Sequence, residues 1–180
     1  MPLWIIYHPS STFTSEDEKA ALAKEVTKSK TSLYSTSNIP NQPHTVYTAV
    51  PLPAFYVNVL FVPLPATSIY VGGVARPSPH TSANHPGPES SVPFIRFTIQ
   101  HIARTLPNDE VRDRFLKTLD TTLKPFVADK GYDWEYSLEE TRRDLWKVQG
   151  LVPPMPGSDA ELEWVRENRA IEFEPARGNL

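Results

Sequence analysis

The order strand, helix, strand occurs twice along this chain, and this repetition constrains the fold more than any other feature of the sequence. The first copy opens on the continuously apolar run Leu3–Tyr7, which is typical of a strand covered on both faces. Ser15 and Glu18 then form a capping-box pattern ahead of a helix predicted over roughly residues 15–33. The run Phe55–Val62 is rich in strand-forming residues and completes one βαβ unit.

The second copy begins at Ile95–Gln100, where apolar and polar side chains alternate with the period of a strand that has one buried face. Asn108 or Asp109 is a suitable N-cap for the next helix, and the alternating segment Tyr132–Tyr136 predicts a strand. Right-handed crossovers would combine the two units into one α+β sandwich. We therefore predict a four-stranded, mostly parallel core sheet with two helices on one face.

We predict that these units form a single domain over residues 1–150, with halves at about 2–75 and 94–138. A proline-rich loop, 76–93, joins the halves, and residues 151–180 form a C-terminal extension.

Two shorter elements accompany the core. We expect Ser68–Val74 to be a short strand that ends on Gly72-Gly73 and pairs as a hairpin with the strand before it. In the extension, Ser158 and Glu161 form a second capping box, which predicts a short helix docked by Trp164.

The composition excludes several classes of function. The 18 Lys and Arg against 21 Asp and Glu give a net charge of −3, which argues against a nucleic-acid partner. The absence of cysteine rules out disulfides and thiolate nucleophiles, and the five histidines lack metal-ligand spacing, so we expect neither a metal nor a cofactor. No apolar run approaches a membrane span, and a cytoplasmic protein is the default expectation. A sheet with helices on one face leaves its other face apolar, which predicts an oligomer.

Three segments carry a family resemblance: Pro2-Leu3-Trp4-Ile5-Ile6-Tyr7 directly after the initiator methionine, the stretch 61–73, and Tyr132–Tyr136. With the doubled βαβ pattern, they resemble the tautomerase superfamily, and within it the fused-repeat branch that contains cis-3-chloroacrylic acid dehalogenase and its fungal relatives. The resemblance spans most of residues 2–150. It implies that the N-terminal proline is the catalytic base or acid, that arginines hold a substrate carboxylate, and that three chains assemble into a homotrimer.

Pro2 is the first candidate catalytic residue. Once Met1 is removed, its nitrogen is a secondary amine in a rigid ring, and a buried or cation-flanked site lowers the pKa of an amine. A neutral amine near pH 7 can remove a proton next to a carbonyl and return it elsewhere, which is keto-enol tautomerisation. The alternative is that proline is a common second residue and has no role.

Four other residues are candidates for the site, three of them through the resemblance and one through its position in the chain. Arg104 aligns with a substrate-binding arginine and Tyr136 with an active-site tyrosine that would donate a hydrogen bond. Arg76 is a second possible carboxylate ligand on loop position alone, and Lys30 replaces a histidine of the dehalogenase. The alternatives are a solvated arginine, an ordinary strand aromatic and a surface lysine.

The chain departs from the dehalogenase pattern at two further positions. Its second arginine falls on Pro107, and its water-activating glutamate falls near Lys147 or Val148. Three carboxylates lie nearby, but the spacing selects none of them: Glu139, Glu140 and Asp144. The first hypothesis is therefore a cofactor-independent tautomerase of a 2-oxo or enol carboxylate. The alternatives are a hydratase or dehalogenase of an unsaturated acid, and an inactive oligomeric binding module.

Overall fold

The computed structural model of the chain describes residues 3–33, 52–78 and 91–174, with the side chains of the first helix described as far as Lys28. Pro2 and most of the predicted loop 76–93 lie outside the described residues.

The described ranges contain six strands and three α-helices. The strands are β1 (Leu3–Pro9), β2 (Asn58–Leu64), β3 (Tyr70–Val71), β4 (Val74–Ala75), β5 (Phe94–His101) and β6 (Asp133–Glu140), and the helices are α1 (Glu16–Leu33), α2 (Asp109–Leu123) and α3 (Asp159–Glu167). Four strands form the main sheet in the order β2-β1-β5-β6. The outer pairs β1–β2 and β5–β6 are parallel, and the two halves meet antiparallel at β1–β5. The predicted four-stranded, mostly parallel sheet is confirmed.

Both long helices begin where their capping residues predict. Ser15 Oγ accepts a hydrogen bond from the Glu18 amide at 3.4 Å, and Asn108 Oδ1 accepts one from the Val111 amide at 2.9 Å. Helix α2 ends at Leu123, and its last α-helical hydrogen bond runs from the Lys124 amide to the Asp120 carbonyl, because the next residue, Pro125, has no amide hydrogen to donate.

The core lies between the sheet and these two helices. Alternate residues of β1 and β5 point towards the helices and are fully buried, as the period of two requires. These strand residues pack with the apolar stripes of α1 and α2: Trp4, Ile6, Ile95, Phe97 and Ile99 from the strands, and Leu22, Val26, Phe115, Leu119 and Leu123 from the helices. No helix in the described ranges combines the length and apolarity needed to cross a membrane.

The predicted hairpin is wrong in its pairing. The observed hairpin consists of β3 and β4, which pair with each other. Gly72 and Gly73, at φ +58° and +84°, form the turn between these two strands. The preceding strand β2 is instead parallel to β1. Gly72 and Gly73 tolerate the left-handed backbone that this tight turn needs, whereas a continuous strand through them would not use it.

The C-terminal extension packs against residues that precede β2 and residues that follow β5 and β6. Ser158 Oγ caps α3 by accepting from the Glu161 amide at 3.2 Å, and Trp164 is fully buried. Trp164 belongs to a second apolar group, which we call the edge cluster: Leu52, Tyr56, Ile102, Ala103, Trp146 and Trp164. The extension therefore contributes Trp164 to a second, smaller core.

Candidate functional site

One end of the main sheet holds the start of β1 and its pairing partners on the neighbouring strands. Leu3 pairs with Asn58 at the start of β2 and with Gln100 near the end of β5, and Gln100 in turn pairs with Glu139 near the end of β6. We call this end the N-terminal edge. Pro2 directly precedes Leu3 in the chain, although Pro2 itself lies outside the described residues.

A cavity of about 550 Å³ lies between the start of α2 and the second half of β6. Its lining includes Leu106 and Pro107 from the connection before α2, and Tyr136 and Glu140 from β6. Glu140 is held in place because its Oε1 accepts a hydrogen bond from the Leu106 amide at 2.5 Å. The cavity thus combines apolar side chains with the Tyr136 phenol, the carboxylates of Asp109 and Glu140, and the Arg112 guanidinium, which is paired with Asp109.

Tyr136 lies in this cavity with its hydroxyl already engaged. The hydroxyl donates to Asp120 Oδ1 of α2 at 2.9 Å. Burial, together with the hydrogen bond and charge of Asp120, raises the pKa of Tyr136 to about 12. The phenol therefore keeps its proton at neutral pH and is a hydrogen-bond donor.

Arg104 lies three residues beyond the end of β5 and binds a carboxylate of its own chain. Its Nη1 and Nη2 donate to Glu161 Oε1 and Oε2 at 3.0 and 2.9 Å, and Nη1 also donates to the Ala103 carbonyl. The exposed fraction of the side chain is 6% for Arg104 and 1% for Glu161. Arg104 thus anchors α3 through a buried bidentate ion pair.

Arg76 is not brought to the N-terminal edge by its contacts. Arg76 is 2% exposed, and its Nη1 donates to Asp133 Oδ2 at 2.8 Å. Asp133 pairs with Phe94, at the opposite end of β5 from Gln100, so the two ends are separated by about 20 Å at the rise of a strand. The side chain of Lys30 lies outside the described residues.

His8 lies at the far end of β1. Its ring is 1% exposed, packs edge-on against Phe13 and Phe61, and has Nδ1 within hydrogen-bond distance of the Pro9 carbonyl. Burial lowers the pKa of the imidazole. His8 is therefore a core residue remote from Leu3.

Three polar groups that the sequence did not indicate meet at the edge cluster. Tyr56 and Trp146 are 1% and 6% exposed, and their rings pack edge-to-face with centroids 4.8 Å apart. Within the described ranges, neither the Tyr56 hydroxyl nor the Trp146 indole nitrogen has a hydrogen-bond partner. The third group is Arg143, which is half-buried, so that desolvation lowers the pKa of its guanidinium.

No local sequence signal distinguishes this trio. Tyr56 falls inside an apolar run, Arg143 follows another arginine in a polar stretch, and Trp146 fits a core anchor equally well. Their proximity depends on how the extension folds back onto the sheet.

Comparison with known proteins agrees with this architecture. The family model described as "Putative oxalocrotonate tautomerase enzyme" matches residues 1–41 and 34–169. Native RhCC from Rhodococcus jostii RHA1 is 35% identical, with a TM-score of 0.74 over 95% of this chain and 99% of that one. A structure described as "a probable enzyme from the thermophilic fungus Aspergillus fumigatus" is 39% identical, with a TM-score of 0.72 over 96% and 98% of the two chains.

A fused 4-OT structure has the same fold at 18% identity, with a TM-score of 0.52 over 83% of this chain and 94% of that one. No curated protein sequence matches the chain. The family match, the identity to full-length relatives and the two βαβ halves joined antiparallel together lead to one conclusion: this chain belongs to the tautomerase superfamily, in its fused-repeat branch.

Proposed function

We propose that this protein is a cofactor-independent tautomerase that uses the amine of Pro2, after removal of Met1, to move a proton in a 2-oxo or enol carboxylate. The observation that carries the proposal is the register of β1. Leu3 pairs with Gln100 and Asn58, so β1 begins at the end of the sheet that also holds Glu140 of the cavity and Ile102 of the edge cluster. Membership of the tautomerase superfamily supports the same chemistry.

The proposed reaction needs a base, a donor for the developing enolate and a site for the carboxylate. The Pro2 amine removes the proton next to the carbonyl and returns it to another atom. Tyr136 is the proposed donor, since its raised pKa keeps the hydroxyl protonated, and it would turn from Asp120 to the substrate oxygen.

The geometry argues against Arg104 as the ligand of the substrate carboxylate. A substrate bound to Arg104 would have to displace Glu161 from a bidentate pair, so we assign Arg104 primarily to positioning α3. Arg76 already holds Asp133, and we propose no role for Lys30.

We also propose that the protein is a homotrimer, assembled through the sheet face that carries no helices. Ile5 and Leu60 are register partners on that face, and Leu60 remains 50% exposed in the single chain. An exposed apolar sheet surface favours association. The fused 4-OT structure with this fold is an asymmetric trimer, which supports the proposal.

Blocking the amine tests the base directly. A chain extended by two residues before Met1 converts the Pro2 nitrogen into an amide without basicity. We expect this chain to lose catalysed deuterium incorporation into 2-oxopentanoate in D₂O, followed by NMR, while intact mass of the unextended protein shows that Met1 has been removed. Equal exchange by both chains would contradict the proposal.

A hydratase or dehalogenase is the second candidate, and Glu140 is the observation that favours it. Glu140 lines the cavity beside Tyr136, with one carboxylate oxygen fixed by the Leu106 amide. Glu140 is thus a candidate for activating water in place of the dehalogenase glutamate, whose position falls near Lys147 or Val148 in this chain.

For that candidate, Glu140→Gln should reduce addition of water to 3-chloroacrylate, measured as chloride release, by about 100-fold or more. Glu139→Gln is the matched control, because its neighbouring position on β6 faces away from the cavity. Chloride release that is absent from the wild type would exclude this second function. Absence of both activities would leave the third hypothesis, a binding module.

A further inference from the structure

Two buried hydrogen-bond donors in the edge cluster have no acceptor in the described ranges. The Tyr56 hydroxyl and the Trp146 indole N–H are both removed from solvent, and burying such a group without a partner costs about 1–3 kcal/mol. The indole nitrogen can only donate, and the hydroxyl has a proton to donate as well. Both needs are met by an acceptor, such as the oxygens of an anion.

Arg143 adds a positive charge to the same place. Its Nη1 donates to the Met155 thioether at 3.3 Å and its Nη2 to the Pro153 carbonyl, which leaves most of its five N–H groups available. Six arginines form an ion pair with a carboxylate: Arg76, Arg96, Arg104, Arg112, Arg142 and Arg166. In the described ranges Arg114, Arg143 and Arg169 have no carboxylate within ion-pair distance, and of these three only Arg143 is partly buried.

The charged groups that act on the Tyr56 hydroxyl are one carboxylate and two guanidinium groups. Glu161, Arg143 and Arg104 all act on the pKa of Tyr56, which burial raises strongly. Glu161 is neutralised by its bidentate pair with Arg104, so the charge of Arg143 has no ion-pair partner in the described ranges, close to Trp146, whose amide donates to the Arg143 carbonyl. One small anion would balance the charge and satisfy both donors.

The edge cluster lies at the end of the sheet where β1 begins. Tyr56 lies two residues before Asn58, and Ile102 of the same cluster lies two residues after Gln100, the two pairing partners of Leu3. We therefore propose that Arg143, with the hydroxyl of Tyr56 and the indole N–H of Trp146, is the binding site for the substrate carboxylate, in place of Arg104.

This inference rests on the proposed function for the identity of the ligand, and binding can be tested without turnover. The Pro2→Ala chain is titrated with 2-oxopentanoate in a calorimeter, with the neutral ketone 2-pentanone as a comparison. We expect Arg143→Gln in that background to weaken binding of the acid by about 10-fold to 100-fold, the range of a charge-assisted hydrogen bond, and to leave binding of the ketone unchanged.

Two further variants keep the test decisive. Tyr56→Phe removes only the hydroxyl and should weaken acid binding by about 5-fold, so it serves if Arg143→Gln does not fold. Arg142→Gln is the matched control, since Arg142 is exposed and paired with Asp144, and it should bind the acid as its parent does.

Three outcomes would overturn the carboxylate site. They are unchanged acid binding in folded Arg143→Gln and Tyr56→Phe, equal losses in Arg142→Gln, and no acid binding by the parent chain. None of them bears on the base, because deuterium exchange by the wild type reports on Pro2 separately. Conversely, retained acid binding with no exchange in the wild type would uphold the site and reject the tautomerase.

Discussion

Replacing Pro2 by alanine should reduce the rate of deuterium exchange on a 2-oxo acid by at least about 100-fold, the lower end of what a positioned acid or base contributes. Alanine still presents an N-terminal amine, but a primary and freely rotating one. The proline ring fixes the direction of the nitrogen lone pair about the N–Cα bond, which alanine leaves free to rotate, and Leu3, the next residue, is held by pairing with Asn58 and Gln100.

The measurement is kcat and KM for exchange, with 2-oxopentanoate as substrate. We expect the loss in kcat, since the amine takes part in the transition state while the proposed carboxylate site is intact. Leu3→Val, next along the same strand, is the control for a change near the N-terminus that keeps the amine. A Pro2→Ala chain with wild-type kcat would reject Pro2 as the base.

Glu161→Ala should lower the free energy of unfolding by about 3–5 kcal/mol, because it leaves the Arg104 charge buried without its partner. The midpoint and slope of a urea transition would measure this loss. Glu163→Ala is the matched control on the same helix: its side chain is 45% exposed and pairs with Arg166 only at 3.8 Å, so we expect a change below about 1 kcal/mol.

A double replacement separates structure from substrate binding at this pair. Arg104→Met with Glu161→Leu removes both charges and should recover most of the stability, since apolar residues of similar size often replace a buried ion pair without loss. If Arg104 only positions α3, the double variant also keeps the KM for the 2-oxo acid. A restored stability with a KM raised 10-fold or more would return Arg104 to the role of carboxylate ligand.

The sheet was predictable because its determinants are local. Continuous apolarity in Leu3–Tyr7 and alternation in Ile95–Gln100 encode strands, and the capping residues Ser15 and Asn108 set where the helices begin. The order of elements then leaves few topologies, since parallel pairs need a helical crossover. The hairpin failed because two glycines fit either a strand end or a turn.

The polar contacts were not predictable in the same way. Arg104 and Glu161 are separated by 57 positions, as are Arg76 and Asp133, and no periodicity links members of such a pair. Their partners depend on where the loops and the extension return to the sheet. An arginine that aligns with a substrate ligand can therefore be occupied by its own chain, which the sequence does not reveal.

By itself, then, the sequence determined the doubled βαβ architecture, because hydrophobic period, capping and chain order act within short stretches. The candidate amine of Pro2 came from the family resemblance that this architecture supports. Only the tertiary structure decided which cations are already neutralised. It paired Arg104 with Glu161 and gathered Tyr56, Trp146 and Arg143 beside the start of β1. The physical reason is that charge pairing and burial are set by contacts between distant segments, and these exist only once the sheet and the extension have packed together.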